Sequence, residues 1–549
     1  MTEWWRGAVI YQVYPRSFQD SDGDGIGDLP GILQRLDYIA SLGVDAIWLS
    51  PISKSPQKDM GYDVSDYTDI DPLFGSLEDF DDLIRRAHAL GLKVIIDQVL
   101  SHTSDQHPWF RESRVSRTNA KADWYVWADA NPDGTPPNNW PSVFGGRAWE
   151  WNATRRQYYL HNFLAEQPDL NFHNPDVQQA VLDVLRFWLE RGVDGFRLDT
   201  VNYYFHDQHL RNNPPAAPAH TAPAVNPYDM QLHSYSKSQP ENIAFLQRLR
   251  QLLDEFPGTT TVGEIGDTDQ GLQLMEQYTS GGDKLHMAYT FDMLKATFTA
   301  EHFRSCLRDF FQHAPNGWPC WSFSNHDVIR HVSRWAAQAK SRPDMARLAV
   351  AMLVSFRGSI CLYQGEELGL PEADILFEEL TDPPGMRFWP EYKGRDGCRT
   401  PMPWEQGAAP NSFTSGRPWL PVKPEHSALN VAAQTEQPDS ILTFYRAAIA
   451  FRREHTVLRD GDISFFDVAE PLLALRRTLG DAAMVCLFNL SREPMVVTTD
   501  APGENTLLPI SCGATVEKGR VTLEPDGFAF IIETADQPMK VNFTGTETR

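Results

Sequence analysis

Apolar positions along the chain fall into two alternating rhythms. Short runs dense in β-branched and aromatic residues, continuous enough for strands buried on both faces, give way to longer stretches with apolar residues at three- and four-residue spacing. Eight short runs stand out: AVIYQVYP from Ala8, DAIWLS from Asp45, VIIDQVL from Val94, GFRLDT from Gly195, TTTVGE from Thr259, MAYTFD from Met287, CWSFSNHD from Cys320 and ICLYQGEE from Ile360. Between them lie amphipathic patterns such as LEDFDDLIRRAHALG from Leu77 and VQQAVLDVLRFWLERG from Val177, each closing on a glycine that suits a helix C-terminus. Alternation of this kind predicts an α/β fold with a parallel sheet wrapped by helices, and eight units predict a closed (β/α)8 TIM barrel.

Two insertions interrupt the rhythm. The first, from about His102 to Asn171, is rich in Trp, Asn, Pro and Gly and follows the third strand. At about 70 residues it exceeds an ordinary βα loop and predicts a small lobe. The second, from about Leu376 to Pro421, carries prolines and aromatics and predicts an ordered loop over the barrel mouth. A Pro/Ala-rich stretch from Arg211, RNNPPAAPAHTAPAVNPYD, reads as a loop after the fourth strand. Beyond a helix near Ser440 to Arg453, the runs LLALRRTL, AAMVCLFNL and FAFIIET predict a C-terminal antiparallel β-sandwich. The expected division is barrel over 1–101 and 172–455, inserted domain over 102–171, and sandwich over 456–549.

Composition narrows the function classes. The 549 residues are 42% hydrophobic and 22% charged, as in an ordinary globular protein. With 49 Lys+Arg against 73 Asp+Glu, the net charge of -24 repels a phosphodiester backbone, so no nucleic-acid partner is expected. The opening MTEWWRGAVIYQVYP lacks a basic segment followed by an apolar one, and no apolar run of about 18 residues occurs. The six cysteines show no CxxC spacing and are too sparse for a disulfide framework. A cytoplasmic protein with reduced thiols and no membrane partner is expected, as a monomer or homodimer.

In such a barrel, active sites sit at the C-terminal ends of the strands, and here those ends are charged. The third strand runs into Asp97 and His102, the fourth into Arg197 and Asp199, the fifth into Glu264, and the seventh into His326 and Asp327. Arg197 and Asp199, two apart on a strand, share a face, and a fixed cation beside a carboxylate keeps it ionised. A second constellation is DSDGDGIGDL from Asp20, with carboxylates at Asp20, Asp22, Asp24 and Asp28 and the Ile26 carbonyl free to turn inward. It matches the first nine positions of a calcium loop without the closing Glu, because position twelve is Gly31. A structural Ca²⁺ or Mg²⁺ is expected there, and no organic cofactor.

Several motifs in register, DQVLSHTS, QPDLNFHNP from Gln167, GFRLDTVN, VGEIGD, FSNHD, YQGEELG from Tyr363 and RDGCRTPMPW from Arg395, resemble glycoside hydrolase family 13, and more narrowly its α-glucosidase and oligo-1,6-glucosidase branch. The resemblance covers nearly the whole chain. It implies Asp199 as nucleophile, Glu264 as general acid/base and Asp327 as the carboxylate that grips the sugar. It implies a first subsite of Asp59, Tyr62, His102, Arg197, His326 and Arg399, with Arg399 pairing with the early Asp to close an exo-acting pocket. Asp63 and Asp97 read as supports. Thr200, small and hydroxylated beside the nucleophile, accompanies α-1,4 or sucrose-type substrates in the family, where Val accompanies α-1,6. Among the lobe's many aromatics, Phe144 and Phe163 are the expected contacts on the leaving-group side, the rest being core.

The reading that emerges is a retaining, exo-acting hydrolase of terminal α-D-glucosyl bonds in maltose-like disaccharides and short oligosaccharides, leaning to α-1,4, with transglucosylation as a side activity. Alternatives within the family are an oligo-1,6-glucosidase, a sucrose hydrolase or isomerase, and a trehalose-type hydrolase. A non-catalytic relative serving as a transporter's partner would lack the carboxylates that stand here.

Overall fold

The computed structural model describes residues 3–217, 224–267, 269–407, 412–499, 507–517, 519–533 and 539–543. Eight strands form one parallel sheet: β1 (Val9–Val13), β2 (Ala46–Leu49), β3 (Lys93–Gln98), β4 (Gly195–Leu198), β5 (Thr260–Ile265), β6 (Met287–Thr290), β7 (Cys320–Trp321) and β8 (Ser359–Tyr363). Each pairs with its chain neighbour, β8 returns to β1, and β6 meets β7 through a single bridge between Ala288 and Pro319. The barrel is therefore nearly closed. Its thin seam has a local cause, since Pro319 brings no N–H to the ladder.

The seventh run is longer in sequence than the strand it makes. Pairing stops at Trp321, because the serines that follow bond locally: Ser322 Oγ donates to Ser324 O at 2.5 Å, and Ser324 Oγ meets His331 Nδ1 at 3.0 Å. The FSNHD segment is thereby released from the wall into the mouth.

Helices follow the strands in turn: α1 (Leu29–Ser41), α2 (Leu77–Ala89), α3 (Pro175–Glu190), α4 (Asn242–Asp254), α5 (Gly271–Thr279), α6 (Ala300–His313), α7 (Arg342–Ser355) and α8 (Ile441–Glu454). Capping fixes where several begin. Ser76 and Asp79 exchange bonds in a capping box at α2, and Asn174, with Pro175 at the first turn, opens α3.

The insertion after β3 builds a three-stranded antiparallel sheet from Trp127–Ala128, Gln157–Leu160 and Trp149–Asn152. It closes over its own core of Val126, Trp140, Ala148, Trp149 and Leu160. The loop after β4 is stitched to this lobe: Trp140 Nε1 donates to Arg211 O, Asn139 Nδ2 to Asn213 O, and Asn226 Nδ2 to Val143 O at 2.7 Å. Positions 218–223 of that loop, and 408–411 of the later insertion, lie outside the described residues.

Among the described residues, the C-terminal strands form one hydrogen-bonded, seven-stranded antiparallel sheet whose long strand Arg520–Glu533 pairs with Ala482–Asn489 through one half and with Met495–Thr499 through the other. Side chains alternate as a pleat requires. Leu473, Leu475, Cys486, Phe488 and Phe530 join the barrel core, while Leu472, Ala474, Val485, Leu487 and Ile531 pack with Val497 and Leu523 into a second core between the two halves. Buried Arg452 and Arg477 cement the junction, donating to carbonyls at the end of α7 and beyond, Val354 O and Phe356 O from one and Ser355 O from the other.

Candidate active site

At the C-terminal rim of the barrel, a cavity of about 210 Å³ is lined by Asp59, Tyr62, His102, Val143, Phe144, Phe163, Gln167, Asp199, Thr200, Tyr203, Glu264, Gly266, Phe291, Asp327 and Arg395. The volume falls below the range of about 300–1,000 Å³ typical of pockets for drug-sized ligands, and suits one sugar ring.

Arg197 organises the floor. From β4 its Nη1 reaches Asp199 Oδ1 at 2.7 Å and Asp97 Oδ1 at 2.9 Å, and its Nη2 reaches Glu264 Oε1 at 2.6 Å. One guanidinium thus serves three carboxylates. The sequence predicts Asp199 held ionised by Arg197; in the structure burial outweighs that attraction and pushes Asp199 up to about 7. Asp97 and Asp327 add repulsion to the burial, and Arg197 only partly offsets them. Burial likewise raises Glu264 to about 7, opposed by Arg197 and reinforced by Asp199 and Asp327. Both carboxyls therefore titrate near neutrality, and the charge on one disfavours charge on the other.

Asp327 behaves oppositely. Burial works against its charge, but the Arg395 and Arg399 guanidiniums hold it well below the usual carboxylate range. Its Oδ1 accepts from Arg399 Nη2 at 2.9 Å and from Arg395 Nη1 at 3.2 Å. His326 is buried and its pKa lies well below the ordinary imidazole value. With Gln12 Nε2 donating to its Nδ1 at 2.7 Å, the neutral ring carries its hydrogen on Nε2, facing Tyr62 Oη at 2.5 Å and Asp327 Oδ2 at 3.3 Å. Tyr62 also stacks on this ring at 5.5 Å.

Asp59 corrects one expectation. Its partner is Arg395, whose Nη2 lies 2.8 Å from Asp59 Oδ1, and not Arg399. The turn Asp396–Cys398 separates the two arginines and sends Arg395 to the cavity wall and Arg399 beneath it, where Arg399 Nε donates to His326 O at 2.7 Å. Asp382, from the same insertion, anchors Arg395 from behind at 2.6 Å. Asp63 accepts from the Lys58 and Asp59 amides and shapes their loop, and Asp97 lies under Arg197, both as supports.

Burial lowers His102 to about 4, with the Tyr62 carbonyl opposing, so it is neutral in the wall. Thr200, two residues past the end of β4, has a left-handed φ of 40°, a strained conformation for a β-branched residue. That twist points its amide at Glu264 Oε2, 3.2 Å away, while its hydroxyl lies 3.3 Å from Asp199 Oδ2. Phe144 and Phe163 stand edge to face at 5.4 Å, Phe163 leans on Tyr203 at 5.6 Å, and Arg395 covers the Phe144 ring at 5.0 Å.

Every expected substrate-binding residue except Arg197, His326 and Arg399 lines the cavity; these three lie directly beneath it, bonded to its carboxylates. The expectations missed Gln167, which donates to Asp59 Oδ2 at 3.1 Å, as well as Tyr203, Phe291, Arg395 and Asp382. Gln167 opens QPDLNFHNP and Arg395 opens RDGCRTPMPW, so both carry a sequence signal; Tyr203 and Asp382 carry none.

In the loop after β1, carboxylate oxygens of Asp20, Asp22 and Asp28 lie within 4.8 Å of one another. Asp24 stands outside this group, accepting from the Ile26 amide at 2.7 Å. None of the four lines the cavity.

A small pocket lined by carboxylates at the C-terminal face of a (β/α)8 barrel fits a glycoside hydrolase. The Alpha-amylase model, alpha amylase catalytic domain, matches residues 12–461. A probable alpha-glucosidase of Rhizobium meliloti (strain 1021) is 56% identical over 545 residues, covering 98% of this chain and 95% of that protein. An oligo-1,6-glucosidase of Heyndrickxia coagulans is 38% identical, over 92% of this chain and 95% of its own length. Among solved structures, the alpha-glucosyl transfer enzyme XgtA superposes with a TM-score of 0.94 at 53% identity, covering 97% of this chain and all 100% of that one. The chain belongs to the α-amylase family, glycoside hydrolase family 13, in its α-glucosidase branch.

Proposed function

We propose that the protein is a retaining, exo-acting α-glucosidase that removes terminal α-D-glucosyl units from maltose-like disaccharides and short oligosaccharides, favouring α-1,4 linkages. The observation that carries this reading is that Asp199, Glu264 and Asp327 face one small cavity whose far wall is the Asp59–Arg395 pair. A long groove would fit internal cleavage; this cavity fits a chain end.

In this reading an oxygen of ionised Asp199 attacks the anomeric carbon. The bond from that carbon to the leaving oxygen breaks, and Glu264 delivers its proton to that oxygen. Water, deprotonated by Glu264, then displaces Asp199 and restores the original configuration. Two carboxyls that titrate near neutrality suit this division of labour, since one must be charged and its neighbour protonated. Asp327 and Asp59 take the ring hydroxyls, and the surplus of buried carboxylate over guanidinium favours the cationic transition state. Thr200 beside Asp199 supports the α-1,4 preference.

Transglucosylation follows when a sugar hydroxyl replaces water, and a relative 53% identical is described as an alpha-glucosyl transfer enzyme. Incubation with maltose, isomaltose, sucrose and trehalose, with products resolved over time, tests the assignment. Fast release of α-glucose from maltose is expected; turnover confined to isomaltose, sucrose or trehalose would replace it with another member of the family.

We further propose a structural Ca²⁺ or Mg²⁺ held by Asp20, Asp22 and Asp28, a set of hard oxygen donors suited to either ion. Chelation is expected to lower the melting temperature without a matching loss of activity below it. A cytoplasmic location fits the cysteines, all free and five of them buried. Among the described residues, no helix is long and apolar enough to cross a membrane.

A further inference from the structure

Glu264 on β5 and Tyr289 on β6 are register partners in the barrel ladder, so both side chains leave the sheet on its inner face. The Tyr289 hydroxyl lies 3.0 Å from Glu264 Oε1, 2.9 Å from Arg197 Nη2 and 3.2 Å from Arg197 Nε. Arginine has no acceptor, so both guanidinium contacts donate to the phenolic oxygen. The single phenolic hydrogen is left for Glu264. Burial holds this phenol well above its ordinary pKa against the pull of Arg197, so it stays a donor at every working pH. Trp48, 6.3 Å away and tilted, backs the ring.

We propose that Tyr289 is a positioning residue for the acid/base carboxyl, its hydroxyl donating to the same Glu264 oxygen that Arg197 Nη2 meets at 2.6 Å and favouring the ionised form once the proton has left. The inference rests on the reading of Glu264 as the acid/base. The hydroxyl aims one Glu264 oxygen at the guanidinium while the Thr200 amide holds the other, so the carboxyl has one rotamer from which to give and regain a proton.

Charged groups facing Glu264 are Arg197 and Asp199 from β4 and Asp327 beyond β7, with Asp97 of β3 on the other side of Arg197. All remain in Tyr289→Phe, which removes one oxygen and keeps the ring. A hydrogen bond to a charged group and the free energy of one pKa unit are of similar size, so the basic limb of kcat/KM should rise by about one pH unit. The same variant should lose about 10-fold in kcat/KM on maltose, whose leaving group needs the proton, and much less on para-nitrophenyl α-glucoside, whose leaving group does not.

An unmoved basic limb with equal losses on both substrates would assign Tyr289 to packing and overturn the proposal. Glu264→Gln, measured alongside, separates the two readings. If it abolishes maltose hydrolysis while Tyr289→Phe leaves the limb in place, only the positioning role fails; if it is active, the acid/base assignment fails first. Melting curves of both variants show that each reading is taken on folded protein.

Discussion

The floor of the cavity and its walls are built by different means. Floor residues leave consecutive barrel strands: Asp97 from β3, Arg197 from β4 with Asp199 just past its end, and Glu264 from β5. Their spacing is set by the ladder register, which pairs Asp97 with Arg197 and Val262 with Arg197. Asp59 and Tyr62 of the loop after β2 give part of the wall, and the rest comes from three insertions that meet at the lobe tip, where Val143 is tied to the loop after β4 and Phe144 lies under Arg395 of the late loop. Rigid strands fix where charge sits, and stitched loops fix what fits beside it. Variants of the floor should therefore act on the chemical step, and variants of the wall on what the pocket accepts.

The sharpest form of that contrast is Asp199→Asn or Glu264→Gln. Each should fold and lose on the order of 10³-fold or more in kcat on maltose. Residual activity within about 10-fold of the wild type would show that the floor does not hold the reacting groups. Arg395→Met comes next, because this residue belongs to the wall by sequence and to the floor by charge. It leaves Asp59, Asp327 and Asp382 without a guanidinium in contact distance of all three. Removing one partner of a buried charge pair costs about 3–5 kcal/mol, so a fall of about 10²-fold in kcat/KM and a lower melting temperature are expected. A change in KM alone would place Arg395 with the wall.

The same contrast explains what was legible beforehand. A charged residue at the end of an apolar strand run is visible as a break in the pattern, and Asp199, Glu264 and Asp327 were found that way. Arg395 and Arg399 sit four apart on a loop without periodicity, so spacing alone does not say which faces the pocket. The turn at Asp396–Cys398 decides it, and turns of that kind need coordinates. Phe144 and Phe163 were separable from Trp140 and Trp149 only as guesses, since lobe core and pocket wall are equally aromatic. The barrel and the C-terminal strands followed from apolar rhythm. The thin seam at Pro319 did not, because it depends on which residues oppose one another.

Stability against pH separates floor from wall a third way, and the sign follows from the raised carboxyls. Burial lifts Asp199 from 3.8 to about 7 and Glu264 from 4.5 to about 7, so between those values the folded state binds more protons than the unfolded one. Stability then falls as pH climbs through that window and levels off above it. Asn at position 199 cannot ionise, and Arg197 keeps Asp97 and Glu264 as partners. The variant should therefore melt higher than the wild type at pH 8, with the advantage vanishing near pH 4. An advantage that is constant with pH would mean that Asp199 is ionised in the folded state throughout.

Asn226→Ala tests the wall by itself and should give the smallest effect. The side chain has two tasks: its Nδ2 donates to Val143 O at 2.7 Å, and its oxygen accepts from the Tyr228 amide at 3.1 Å, opening the turn Pro227–Met230. Neither bond touches the floor. Loss of a neutral hydrogen bond is worth about 0.5–1.5 kcal/mol, which amounts to about a 2- to 10-fold change. Because Val143 lines the cavity, that change should appear as a higher KM for maltose and a shifted ratio of transfer to hydrolysis. Turnover of para-nitrophenyl α-glucoside at saturation should hardly move, since the strands beneath keep their register. A drop in kcat as large as that of Arg395→Met would mean that the lobe tip also positions the carboxylates, and the separation of floor from wall would no longer stand.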